Sequence, residues 1–207
     1  MSIFSAKAND CLVIIDVQND FCTGGSLAVP DAEAILPLIN DLIPTFETVV
    51  FTQDWHPAGH SSFASEHAGK QPFDSITLAY GEQTLWPDHC IQGSSGAEFH
   101  PQLNADSAQL VIRKGFRRSI DSYSAFFEND HSTVTGLGGY LRERAVKRVV
   151  CVGLALDYCV RFSAIDARRQ GFEAVVLEAG CRGIDVNGSN DDARAAMRAE
   201  GVVIADN

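Results

Sequence analysis

Apolar, β-branched residues occur along the chain in short unbroken runs, separated by stretches whose apolar positions recur at helical spacing. The first run, Cys11-Leu12-Val13-Ile14-Ile15, ends in Asp16 and has the pattern of a strand buried on both faces. Further runs at 48–52, 109–114, 147–152, 172–177 and 202–205 repeat it. Between them the spacing predicts helices over 31–41, 137–145, about 156–169 and about 191–200. Asp31 is the candidate N-cap of the first helix, and Pro37 means that this helix is kinked or begins later than the pattern suggests. Strands alternating with helices predict an α/β fold: a three-layer α/β/α sandwich with a mostly parallel, doubly wound sheet of about six strands. The segment from Gln53 to Ser107, rich in Gly, Ser, Pro and His, shows no such periodicity. A loop of that length in a compact domain is usually functional. No repeat or linker divides the chain, so 1–207 reads as one domain with an insertion over about 54–108.

Composition narrows the partners. The 207 residues are 45% hydrophobic and 21% charged, ordinary for a globular chain large enough to bury a core. A formal net charge of −11 argues against nucleic acid as a partner and disfavours a highly anionic substrate. Residues 1–8 lack the apolar centre of a signal peptide, and no run reaches membrane-spanning length. The six cysteines show no disulfide-framework spacing, so the expected location is the reducing cytoplasm, away from membranes. A homo-oligomer is left open.

Three chemically capable residues fall at strand ends. Asp16 closes the first strand, Lys114 closes the third, and Cys159 follows the run Val149–Gly153 near the start of a predicted helix. In a parallel sheet these positions share one edge, where ligands bind in open α/β folds. Cys11 and Cys151 lie in strand runs and read as core residues. A helix terminus stabilises a thiolate by about 0.3–1 kcal/mol. An ammonium about 4 Å away contributes up to about 4 kcal/mol at an effective dielectric near 20, before desolvation. Lys114 is therefore expected to be the larger influence lowering the Cys159 pKa. Asp16 is placed to take the thiol proton, deliver it to a leaving amine, and activate water afterwards. The Ala155 and Cys159 N–H groups are candidates for an oxyanion hole.

The insertion carries Asp54-Trp55-His56-Pro57 and Trp86-Pro87-Asp88-His89-Cys90. Asp54, His56 and His89 form a nitrogen/oxygen set suited to one divalent transition metal, Zn²⁺, Fe²⁺ or Mn²⁺, with positions left for water or substrate. His60 is the best further ligand, ahead of Glu66, His67 and Cys90, while His100 and His131 read as surface or loop histidines. Phe21, Trp86 and Tyr123 are candidate walls for a flat substrate, and Phe63 fits either a wall or the core. Whether the 61–81 loop closes over the site is left open.

Together these segments resemble the cysteine-hydrolase superfamily that includes the isochorismatases and, within it, the nicotinamidases. The resemblance rests on Val13–Phe21, Asp54–Pro57, Trp86–Cys90, Arg113-Lys114-Gly115 and Gly153–Val160, and runs over nearly the whole chain. It implies an isochorismatase-like fold and a triad of Asp16, Lys114 and Cys159. It also implies a metal on Asp54, His56 and His89 that binds the pyridine nitrogen, with His60 or water in a fourth place. A cis Leu154–Ala155 peptide would expose the oxyanion-hole amides, Phe21, Trp86 and Tyr123 would enclose the ring, and Asn19 would support the triad or a metal-bound water. The implied reaction is hydrolysis of nicotinamide to nicotinate and ammonia, in salvage of the NAD precursor, with pyrazinamide as a second substrate. The rival readings are a metal-independent amidase of the same fold acting on a carbamoyl or ureido substrate, and a non-catalytic metal- or ligand-binding protein.

Overall fold

A computed structural model describes residues 4–206. Its centre is a six-stranded sheet built from β1 (Asp10–Ile15), β2 (Thr48–Asp54), β5 (Leu110–Lys114), β6 (Arg148–Leu154), β7 (Glu173–Arg182) and β8 (Val203–Ala205). The strand order is β5-β2-β1-β6-β7-β8, and every neighbouring pair is parallel. The remaining strands, β3 (Ser75–Leu78) and β4 (Gly81–Thr84), form a separate antiparallel hairpin inside the insertion.

Period-2 alternation explains the layers. Leu12 and Ile14 of β1 pack on one face with α1 (Leu36–Leu42), through Leu36, Ile39 and Leu42. Cys11, Val13 and Ile15 pack on the other face with α2 (Leu137–Glu143), α3 (Arg161–Arg169) and α4 (Ser189–Ala199). Both sheet faces are covered, which is why the strand runs are continuously apolar. Cys11 and Cys151 are fully buried, as the pattern predicts.

From β1 the chain builds outward to β2 and β5, then returns to lay β6 against the other side of β1. The switch point therefore lies between β1 and β6, where a crevice opens at the carboxyl ends of the strands. Gly153 makes their close approach feasible. Its φ is +120°, and a Cβ there would lie 2.1 Å from the Ile15 carbonyl oxygen.

Several local expectations change. Asp31 adopts a left-handed conformation (φ 55°) and its side chain caps nothing. The chain first makes a short 3₁₀ turn, Ala32–Ile35, and α1 begins at Leu36 with Pro37 in its first turn, where the missing N–H costs nothing. The helix predicted from 156 opens instead with a wide π-turn, Leu156–Val160, before α3 starts at Arg161. β7 extends five residues beyond its apolar run, because a register shift between Cys151 and Gly153 brings Cys181 and Arg182 alongside Gly153 and Leu154. The β3–β4 hairpin had no apolar run to announce it, since both its faces are largely solvated.

Candidate active site

The register of the sheet delivers four groups to one point. Asp54 and Lys114 are paired Cα partners at the ends of β2 and β5, and Asp16 follows β1 next door. The Lys114 side chain is fully buried at their meeting place. Its Nζ lies 2.8 Å from Asp16 Oδ2, 2.6 Å from Asp54 Oδ1, 3.0 Å from the Ser122 carbonyl and 3.4 Å from Cys159 Sγ. Thr52 donates its hydroxyl to Asp16 Oδ1 at 2.6 Å and accepts the Asp16 N–H at 3.1 Å, fixing the carboxylate plane. Asp16 Oδ2 is buried against the Lys114 ammonium.

Burial and charge compete at each group. Burial works against the Lys114 charge, but Asp16 and Asp54 outweigh it and hold the ammonium well above its ordinary pKa. At Asp54 burial is likewise outweighed, by Lys114 and His56, and the carboxyl is held well below the usual range. At Asp16 burial wins, helped by the Asp54 charge and only partly offset by Lys114, so its pKa rises. The same holds at Cys159. Burial dominates and pushes the thiol well up, Lys114 opposes it, and Asp16 and Asp54 add to the rise. Lys114 is the influence that lowers the Cys159 pKa, as expected, but burial outweighs it and the net shift is upward. The ammonium does face the sulfur, but two carboxylates share it and burial leaves a resting thiolate poorly solvated.

The second cluster shares Asp54. Asp54 Oδ2 lies 3.3 Å from His56 Nε2 and 3.5 Å from His89 Nε2. His56 Nδ1 donates to the Gly115 carbonyl at 2.9 Å, and His89 Nδ1 to the Pro87 carbonyl at 2.8 Å. Both carbonyls accept from Nδ1–H, which leaves each Nε2 as the ring atom that faces Asp54 and is available to a metal. The three ligand atoms lie within 4.8 Å of one another, and all three residues are buried. Two imidazoles and a carboxylate with their outer partners in place fit a zinc-class divalent ion.

His60 stands apart. Its Nε2 points to the carbonyls of Arg117 (2.9 Å) and Ile120 (3.2 Å), and its Nδ1 accepts from the Ser62 N–H and lies 2.7 Å from the Ser62 hydroxyl. Both ring nitrogens are thus held by protein groups, while the ring packs 4.4 Å from His56. Phe63 is fully buried behind His56, His60 and His89. Asn19 donates to the Ser95 carbonyl at 2.8 Å and lines a different cavity.

A narrow cleft opens over these groups, lined by Phe21, Trp86, Tyr123, Tyr158, Ala155 and Cys159 among others. Asp54 and His89 also reach it. The Phe21 ring meets the edge of His89 at 5.5 Å, and Trp86 meets Tyr158 at 4.7 Å and Tyr123 at 6.1 Å. The peptide between Leu154 and Ala155 is cis. In the π-turn the Ala155 carbonyl takes the N–H groups of Tyr158 and Val160, both at 3.1 Å, and bypasses the Cys159 N–H between them.

Several contributors were not singled out from the sequence. Gln18 clamps the Asp54 peptide with both ends of its amide, at 2.8 and 2.9 Å. Tyr158, Leu27, Ile184 and Asp121 complete the cleft wall. Tyr158 adjoins Cys159 and carried a legible signal; the other three come from loops without one.

The sequence profile of the Isochorismatase domain matches residues 10–207. A nicotinamidase of Acinetobacter baylyi is 55% identical over 197 residues, covering 95% of this chain and 92% of that one. A solved nicotinamidase/pyrazinamidase structure from Acinetobacter baumanii superposes with a TM-score of 0.94 at 57% identity, covering 96% of each chain. A solved pyrazinamidase of Pyrococcus horikoshii in complex with zinc gives a TM-score of 0.77 at 33% identity, covering 95% and 98% of the two chains.

Proposed function

The chain belongs to the isochorismatase domain family, and from that premise we propose that it is a nicotinamidase, hydrolysing nicotinamide to nicotinate and ammonia, with pyrazinamide as a second substrate. The observation that carries this reading is Lys114, whose Nζ joins the Asp16–Cys159 pair to Asp54 of the two-histidine cluster beneath one aromatic-walled cleft. The names of the similar proteins support the same substrate.

Cys159 is the nucleophile. Asp16 takes the thiol proton as Sγ attacks the carboxamide carbon, which matches a thiol held protonated at rest beside a carboxylate of raised pKa. Lys114 neutralises the charge left in the site and keeps Asp16 in place. The oxyanion forms against the Ala155 and Cys159 N–H groups. Collapse breaks the C–N bond, and Asp16 returns the proton to the departing nitrogen, releasing ammonia and leaving a nicotinoyl thioester. Asp16 then deprotonates a water that attacks the thioester, giving nicotinate and the free thiol. Phe21, Trp86 and Tyr123 hold the ring. Asp54, His56 and His89 would hold one zinc-class ion, which supplies a Lewis-acid anchor for the pyridine nitrogen when bound.

The reading takes 1–207 as one hydrolase domain, with the insertion over about 54–108 supplying the ligands. It places the protein in the cytoplasm. None of the six cysteines is paired, and no helix among the described residues is long and apolar enough to cross a membrane. The test is ammonia release from nicotinamide before and after chelation. Activity that vanishes on chelation and returns with Zn²⁺, Fe²⁺ or Mn²⁺ is expected. Activity indifferent to thorough metal removal would favour a metal-independent amidase.

A further inference from the structure

Cys22, Glu33 and His100 meet outside the active site, with a sulfur, a carboxylate oxygen and a ring nitrogen within 4.8 Å of one another. They come from three separate segments: the turn after β1, the 3₁₀ turn before α1, and the far end of the insertion. Cys22 and His100 line a polar cavity floored by Gly24, Gly25 and Gly96, which leaves room for water beside the cluster. Cys22 is buried, while Glu33 and His100 are half-buried.

We propose that Cys22, Glu33 and His100 form a second, thiolate-containing site for a zinc-class divalent cation, distinct from the Asp54–His56–His89 set. A thiolate, an imidazole and a carboxylate are all ligands this ion takes, and water from the adjoining cavity completes a four-coordinate shell. The carboxylate is held in place: Glu33 Oε1 accepts the Thr23 N–H at 2.8 Å and Oε2 accepts the Thr23 hydroxyl at 3.1 Å, leaving lone pairs for a metal. His100 Nδ1 receives only a long 3.2 Å bond from the Gln102 N–H, which a metal can replace.

Occupancy would matter to the cleft. Cys22 directly follows Phe21, and the same segment runs on to Leu27, so both flanks of the metal-bearing turn line the substrate pocket. A cation here clasps that turn to α1 and to the insertion, and steadies one wall of the cleft.

Cobalt separates the two sites, because only this one holds a thiolate. Chelator-stripped full-length protein titrated with Co²⁺ should bind two ions per chain and develop a near-ultraviolet thiolate-to-cobalt charge-transfer band. The band should persist in Cys159→Ala and in His56→Ala, each of which leaves the second site intact. It should disappear in Cys22→Ser with loss of one ion. His100→Ala, at a half-exposed position, should weaken the band-forming event about 10-fold or more, since even an outer partner of a metal ligand is worth about 10–100-fold. A single ion per chain, a wild type without the band, a band that survives Cys22→Ser, or one that disappears in Cys159→Ala overturns the second site.

Discussion

Lys114 is the residue on which the site turns. Its ammonium is the shared counter-ion of two buried carboxylates and the nearest cation to the Cys159 sulfur. Removing it leaves Asp16 and Asp54 facing each other, buried and without compensation. Lys114→Met is therefore expected to lower unfolding free energy by about 3–5 kcal/mol, the usual cost of breaking a buried pair, measured by urea denaturation. Activity should be lost with it. The pH profile follows from Asp16 and Cys159. The base must be ionised and the thiol protonated before attack, and both pKa values are raised, chiefly by burial. The acid limb of kcat/KM should then lie above the ordinary carboxylate range and the alkaline limb above that of a free thiol. Alkylation by iodoacetamide should likewise accelerate only above the usual thiol pKa. A midpoint below it would mean that Lys114 does dominate after all. Asp16, Lys114 and Cys159 were legible as a group because each ends or follows an apolar run, and parallel strands carry such positions to one edge. The sign of the Cys159 shift was not legible, since it depends on complete burial and on Asp54 also claiming the ammonium, and neither is written in local sequence.

At the scale of elements, the insertion does more than supply histidines. The β3–β4 hairpin is pinned to the cleft through Gln83, which is buried on β4. Its amide nitrogen donates to Asp121 Oδ2 at 2.8 Å and to the Tyr123 hydroxyl at 2.9 Å, and its oxygen accepts from Tyr80 and Asn129. Tyr123 in turn accepts from Trp86 Nε1 at 3.2 Å. Gln83→Ala strips these partners and is expected to cost about 1–3 kcal/mol through unsatisfied buried groups. The aromatic wall should loosen, so steady-state kinetics should show KM rising several-fold with a smaller fall in kcat. An equal fall in kcat at constant KM would instead place Gln83 in the chemistry. Sequence pattern gave no warning of this hairpin. Its strands are short and wet on both faces, and the bonds that anchor it run to residues about forty positions away. The strand–helix framework was legible because each element buries a continuous or helically spaced apolar face. Turns such as Leu156–Val160 and Ala32–Ile35 deviate because local packing, and not propensity, decides their hydrogen bonding.

At the scale of the molecule, the doubly wound sheet brings two chemistries to the same crevice. Asp16 and Lys114 lie at the ends of strands, Cys159 follows one, and Asp54 at the end of β2 belongs to both the triad-like group and the histidine pair. Such coupling predicts that metal removal disturbs more than ring binding. Chelation should abolish turnover while the fold, followed by far-ultraviolet circular dichroism, stays intact, because the sheet core is built independently of the ligands. Loss of secondary structure on chelation would mean that the ion holds the insertion together.

The most direct test of the covalent chemistry is ammonia release from nicotinamide by metal-loaded wild-type protein and by Cys159→Ala. The wild type is expected to turn over steadily. The variant should fold, keep its metal and fall by about 10⁴-fold or more, as removal of a catalytic nucleophile does elsewhere. Turnover by pure Cys159→Ala within about 100-fold of the wild type would contradict a thioester route, and a metal-loaded wild type inert toward nicotinamide would contradict the assigned reaction itself.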